Sequence, residues 1–192
     1  MVFLRSFEPI VDVLLAALAY LLYKLLGKRP WSFWGAVLAL YLSLVFSVTG
    51  LPSAQYLTLD LTLNLLPFSD FPDRRFLYLS ALNTVMTVPL GVLLPLAFRK
   101  YRRFTPTLLA GFFTSLTIEI LQLFCFRATD IDDLILNTLG TILGFFLGKL
   151  LFSRLWPRCG DKKGGYPLLI AILILLCFFL RQPLYDLLYL LL

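Results

Sequence analysis

A chain of 192 residues that is 60% hydrophobic and only 15% charged is too apolar to be an ordinary soluble domain. Its mean hydropathy of +0.88 predicts a polytopic membrane protein, in which the net charge of +6 belongs to short basic loops and does not indicate nucleic-acid binding. Histidine is absent from the sequence, which excludes histidine-based nucleophilic catalysis and histidine-ligated metals, and the three cysteines show no metal-ligand spacing.

The apolar runs predict an all-α, polytopic bundle of about six membrane-spanning helices, forming one integral membrane domain over residues 1–192. The first run, from Pro9 to Leu26, is followed by its basic residues and not preceded by them. We therefore expect a retained helix and not a cleaved signal peptide. The second run extends from Trp31 to about Gly50.

Residues 55–66 read QYLTLDLTLNLL, in which leucines alternate with polar residues. A period of two predicts an extended segment and not a helix. A lone strand in lipid would leave its backbone groups unpaired, so this segment should lie at the membrane interface, against protein, or paired with itself, and the interface is favoured.

Four further runs follow. The third span is predicted from Phe76 to about Phe98, with two internal prolines that should kink it, and the fourth from Thr105 to Phe126. The fifth extends from Ile131 to Phe152 and the last from Pro167 to Leu180. Pro183 favours a break after the last run, unless the helix continues past Arg181 as one span. With a break, the C-terminal tail is either an interfacial helix or a second short piece.

The fourth and fifth spans and their linker carry a concentrated set of polar residues. Glu119 and Gln122 are three apart, so they share a helix face, which should point into the protein because a carboxylate at hydrocarbon depth is costly. Arg127 and Asp130 lie in the linker, and Asp133 opens the fifth span. These residues predict a charged pocket near one membrane surface.

A helical stripe continues from that pocket along the fifth span, through Asp133, Asn137, Gly140, Gly144 and Gly148. The glycines form two successive small-xxx-small steps, which allow another helix to approach at backbone distance. The stripe is therefore interpreted as helix packing below the polar pocket.

Plainer interpretations exist for the same residues. Glu119 can form a structural ion pair with Arg127 or a hydrogen bond to Asn83, and the amides can join helices without binding a ligand. Asp130 can cap the fifth helix. For Asp132 we favour the complementary role of an acid beside the helix dipole.

The basic residues predict the orientation. Loops after the first, third and fifth spans hold twelve Lys and Arg, against five on the other side. By the positive-inside rule those loops are cytoplasmic, so both termini and the pocket should face outward.

Three stretches together resemble the VanZ-like family of bacterial membrane proteins. They are NLLPF at 64–68; Asn83 followed by VPLGVLLP at 88–95; and IEILQ at 118–122, leading through the acidic linker to NTLG at 137–140. The resemblance covers about residues 60–150 and implies a multi-pass protein of the bacterial cell membrane. The named member of the family is associated with low-level resistance to the glycopeptide teicoplanin. The residues carried over by the resemblance are Asn64, Pro67, Phe68, Asn83, Pro89, Gly91, Glu119, Gln122, Arg127, Asp130, Asp133 and Asn137.

The favoured hypothesis is a cell-envelope protein whose outward pocket binds an amphiphile: a lipid-linked cell-wall intermediate, a phospholipid headgroup or a lipoglycopeptide. Membrane lipids are thus the expected partners. The candidate ligand-binding residues are Asn64, Asn83, Glu119, Gln122, Arg127, Asp130, Asp133 and Asn137.

Two alternatives remain open. A membrane-embedded enzyme acting on a lipid could use Glu119, Asp130 and Asp133 as acid and base or as oxygen ligands for Mg²⁺ or Ca²⁺, although no metal site is assigned. A proton-coupled transporter could use Glu119 as its carrier with Arg127 as its gate. No internal repeat supports the transporter.

Overall fold

The computed structural model describes residues 8–27, 32–50, 52–55, 57–59, 63–69, 71–124, 129–156, 160 and 165–191. Within them lie six α-helices, a pair of two-residue strands and one short 3-10 helix at Arg99–Arg102. The helices are α1 Glu8–Gly27, α2 Phe33–Thr49, α3 Arg74–Ala97, α4 Phe104–Gln122, α5 Ile131–Phe152 and α6 Tyr166–Leu191. The strands are β1 Leu63–Asn64 and β2 Thr129–Asp130.

The predicted all-α membrane bundle is confirmed. Five of the described helices are long and apolar enough to cross a bilayer, and the shorter α2 has 17 residues. At a rise of about 1.5 Å per residue, α2 is about 26 Å long, which is close to the thickness of the hydrocarbon core. The predicted fifth span coincides with α5, whereas α4 ends at Gln122 and the predicted end at Phe126 lies outside the described residues.

The helices run alternately up and down. Ring contacts of Phe98 with Tyr23 and with Tyr166 join the last turn of α1, the end of α3 and the start of α6 at one end of the bundle. At the other end, α4 finishes beside the end of α2, since the Gln122 side chain bonds the Thr49 carbonyl. We call the end at which α1 and α3 finish the basic end, because it holds the 3-10 helix RKYR. We call the opposite end, where α2 and α4 finish and the acidic first turn of α5 begins, the acidic end.

The last helix corrects one prediction. The break expected at Pro183 does not occur, because α6 is continuous from Tyr166 to Leu191. Packing explains the continuity: Arg181 donates to Ser47 of α2, and Gln182 donates to Asp186 across the proline, so both sides of Pro183 are held. Neighbouring side chains can compensate for the missing proline N–H in this way.

The glycine stripe packs α5 against α3. A Cβ atom added at Gly140 would overlap the carbonyl of Thr84, and one added at Gly144 would overlap the carbonyl of Val88. Gly91 of α3 makes the reciprocal approach to the Thr141 carbonyl. The two backbones are therefore in direct contact, which confirms the packing role predicted for the stripe.

The extended segment lies against protein. β1 pairs in parallel with β2, with Leu63 opposite Thr129 and Asn64 opposite Asp130. Just before β1, the Thr58 N–H donates to the Phe124 carbonyl at 3.1 Å. The remainder of the predicted segment includes residues 56 and 60–62, which lie outside the described residues. Pairing with the chain that follows α4 supplies the backbone partners that a strand in lipid would lack.

Candidate functional site

Asp130 is the centre of the polar residues at the acidic end. It caps α5, since its Oδ1 accepts from the Asp132 N–H at 2.9 Å. Its Oδ2 accepts from the Asn64 amide at 3.2 Å, and its own N–H donates to Glu119 Oε2 at 3.2 Å. One residue therefore joins β1, the end of α4 and the start of α5, and its capping role is confirmed.

Glu119 lies on the buried face of α4 and is only 3% exposed. A carboxylate removed from water needs hydrogen-bond donors to compensate for lost hydration, and the backbone of Asp130 supplies one. Arg127, which the sequence predicts as the partner of Glu119 or of a ligand, falls in the segment 125–128, outside the described residues.

The amide of Asn83 joins α3 to α5 by donating to Asp133 Oδ1. This places the predicted residues Asn83 and Asp133 together, on the α3 side of the acidic end. Below this contact the glycine stripe begins, so the polar pair closes the top of the α3–α5 interface.

Asp132 is the residue that sequence reasoning undervalued. Its side chain is 2% exposed and both of its oxygens accept from the Phe68 N–H, at 2.9 and 3.1 Å. Phe68 has a φ of +57°, in the left-handed region, and its N–H ties the end of the NLLPF stretch to the first turn of α5. The only signal in the sequence was an acid in the first turn of a helix, which the helix dipole explains without a distant partner.

A second polar layer lies deeper in the bundle. The Asn137 amide donates to the Ser115 hydroxyl at 3.2 Å, while its buried Oδ1 has no hydrogen-bond partner among the described residues. Ser115, four residues before Glu119 on the same face of α4, was not predicted. Gln122 is also buried, but its amide donates to the Thr49 carbonyl at 3.1 Å, towards α2.

We refer to the residues of the first layer as the polar cluster: Asn64, Asn83, Glu119, Asp130, Asp132 and Asp133. The structure brings them together from five segments of the chain. The hydrogen bonds described for Asn137 and Gln122 go to Ser115 and to the Thr49 carbonyl.

Two cavities lie in other parts of the bundle. One, of about 310 Å³, is between the start of α4 and the start of α6, and the other, of about 410 Å³, is beside Arg181. Neither is lined by a residue of the polar cluster. The described side chains of the cluster contact one another through the hydrogen bonds given above.

The described carboxylates do not fit a metal ion. Among the residues that the structure describes, no three His, Cys, Asp or Glu side chains gather closely enough to hold one. Glu119, Asp130 and Asp133 instead have distinct partners: a backbone N–H and the amides of Asn64 and Asn83.

The polar cluster lies within the part of the chain that matches a known protein family. The VanZ/LLP1 family matches residues 38–152, a range that contains the whole polar cluster and excludes α1 and α6. The chain is also 37% identical over 117 residues to Protein VanZ of Enterococcus faecium, an alignment that covers 59% of this chain and 70% of that relative. No solved structure matches the chain significantly. The match over most of the bundle and the shared identity show that this multi-pass membrane protein belongs to the VanZ/LLP1 family.

Proposed function

We propose that this protein is a cell-envelope protein that binds the polar head of an amphiphile at the polar cluster and thereby lowers susceptibility to teicoplanin. The observation that carries the proposal is the convergence of carboxylates and amides at one end of the bundle, with Glu119 and Asp132 almost completely buried. Ionisable residues inside a membrane protein are costly and mark functional sites by default.

The chemistry of the cluster favours a ligand rich in hydrogen-bond donors. Four of its six members are carboxylates, which accept hydrogen bonds, and in the layer below Asn137 has a buried acceptor oxygen with no partner among the described residues. Lipid-linked cell-wall intermediates and lipoglycopeptides present many amide and hydroxyl donors, whereas a simple phospholipid headgroup presents few. A donor placed on Asn137 Oδ1 would remove a desolvation penalty of about 1–3 kcal/mol. Arg127 would add a partner for an anionic group of the same ligand.

Binding requires the cluster to open. Asn64, Asp130 and Asp132 hold β1 and the NLLPF turn over the start of α5, and a headgroup would replace some of these contacts. β1 and β2 are only two residues long, so their separation costs few backbone hydrogen bonds. The strand pair is thus the part of the bundle that can move without unpacking α3 from α5.

The test is binding by the purified protein in nanodiscs. The probes are teicoplanin, a lipid-linked disaccharide-peptide cell-wall intermediate and phosphatidylglycerol. We expect the first two to be retained more strongly, and Glu119→Gln to weaken their binding by about tenfold to a hundredfold, the usual effect of losing a charged acceptor. Ile120→Leu, on the exposed face of the same helix, is the matched control.

The cellular readout is the teicoplanin susceptibility of bacteria that express each variant at equal membrane levels. Loss of protection in Glu119→Gln but not in Ile120→Leu supports the proposal. Failure of the wild-type protein to retain any of the three probes would refute it.

A further inference from the structure

A second charged site lies at the acidic end, between α1, α2 and α6. Arg181 of α6 places Nε 4.0 Å from Asp12 Oδ1 of α1 and donates from Nη2 to Ser47 Oγ of α2 at 2.5 Å. Asp12 is 2% exposed, whereas the Arg181 side chain is 21% exposed. None of these three residues belongs to the polar cluster, and two of the three helices, α1 and α6, lie outside the family match.

Arg181 borders a cavity of about 410 Å³, whose other lining residues are Val11, Ser47, Gln182 and Tyr185. Four of the five lining side chains carry a hydrogen-bond donor. Gln182 also donates to the exposed Asp186, one turn further along α6. The cavity is therefore rich in donors and has a guanidinium on its wall.

The geometry leaves guanidinium donors available to a ligand. At 4.0 Å the Nε–Oδ1 separation is too long for a direct hydrogen bond, so Asp12 holds Arg181 by charge without engaging that donor. A guanidinium presents five N–H groups in a planar fork that matches phosphate oxygens. Burial of Asp12 beside it fixes the position of the positive charge.

The depth of the site matches that of lipid headgroups. Asp12 lies four residues from the start of α1 and Ser47 two residues from the end of α2. These offsets correspond to about 6 Å and 3 Å along the helix axes. We propose that this cavity binds a phosphate group, presented either by a lipid headgroup at the membrane surface or by free phosphate.

The experiment measures ligand binding to the purified full-length protein by native mass spectrometry. The probes are phosphatidylglycerol, a diacylglycerol with the same acyl chains, and inorganic phosphate as a competitor. Because a guanidinium–phosphate pair is charge-assisted, we expect phosphatidylglycerol to bind about tenfold more tightly than diacylglycerol and Arg181→Gln to remove that difference. Arg75→Gln, an exposed arginine at the same end of the bundle, is the matched control and should retain it.

Asp12→Asn gives a sharper test than the loss of binding in Arg181→Gln, because it predicts a gain in affinity. If Asp12 only pairs with Arg181 for stability, removing its charge should not improve ligand binding, whereas a phosphate site should bind more tightly once the competing carboxylate is neutral. The double variant Asp12→Asn/Arg181→Gln removes both charges together, which avoids leaving one buried charge without its partner. It should remain folded, as judged by thermal unfolding of its helical signal, and should lose the preference for phosphatidylglycerol.

Competition by inorganic phosphate identifies the phosphate group alone as the ligand, and selective binding of phosphatidylglycerol without such competition identifies a lipid headgroup. Both outcomes support the site. Equal affinity for diacylglycerol, or a folded double variant with unchanged phosphatidylglycerol preference, overturns it. Because Arg181 is not part of the polar cluster, Arg181→Gln should retain teicoplanin binding, so the two proposals fail independently.

Discussion

At the scale of single residues, the first turn of α5 determines how the polar cluster is built. Asp130, Asp132 and Asp133 are close in sequence, yet each has a different partner: Asn64 at the end of β1, the Phe68 N–H four residues later, and Asn83 of α3. Helical geometry points neighbouring side chains in different directions, so a short acidic run can join several elements. Sequence reasoning could identify these acids as a buried group, but the partner of each lies fifty or more residues away in the chain.

Asp132→Ala should lower the free energy of unfolding by about 1–3 kcal/mol, because the Phe68 N–H would lose its acceptor in a partly buried position. The measurement is denaturant unfolding in detergent micelles, followed by helical circular dichroism. Asp73→Ala is the control, since Asp73 precedes α3 without making a side-chain cap hydrogen bond. An equal effect of both substitutions would contradict the role assigned to Asp132.

At the scale of elements, the α3–α5 contact depends on the absence of side chains. Gly144 faces the Val88 carbonyl at a distance that no Cβ can share, whereas a Cβ at Gly148 would lie 3.2 Å from Val92 Cα. Gly144→Ala should therefore destabilise the protein by about 1–3 kcal/mol, as overpacked substitutions do, and Gly148→Ala should cost less. Thermal unfolding of the two variants in the same detergent shows which substitution lowers the stability more. A larger loss in Gly148→Ala would contradict the close backbone contact at Gly144.

The same element scale shows where prediction from sequence reaches its limit. The α5 bounds and the glycine stripe follow from apolar length and helical spacing, which are local properties. The continuity of α6 through Pro183 does not, since it depends on Arg181 meeting Ser47 on another helix. Most residues of the site were identifiable because they are polar residues in or beside apolar runs, which is a local property. The parallel pairing of β1 with β2 and the hydrogen bond from Asn137 to Ser115 were not identifiable, because each depends on a contact between distant parts of the chain.

At the scale of the whole molecule, the two ends of the bundle differ in charge and in chemistry. The 3-10 helix RKYR packs at the basic end, where Arg102 donates to the Trp156 carbonyl and Tyr101 is buried. Burial raises the pKa of the Tyr101 hydroxyl above its ordinary value. Both proposed ligand sites lie at the acidic end, so their access to external ligands depends on which way the bundle is inserted.

The excess of basic residues predicts that the acidic end faces outward. Single cysteines introduced as Arg75→Cys at the start of α3 and as Lys100→Cys in the 3-10 helix report the two ends, since both positions are exposed. In a background with the three native cysteines replaced, a membrane-impermeant maleimide applied to intact cells should label position 75 and not position 100. Permeabilised cells should show labelling at both, which controls for reactivity. Labelling of position 100 alone in intact cells would place the polar cluster and the Arg181 cavity in the cytoplasm, where neither could meet an external glycopeptide or an outer-leaflet headgroup.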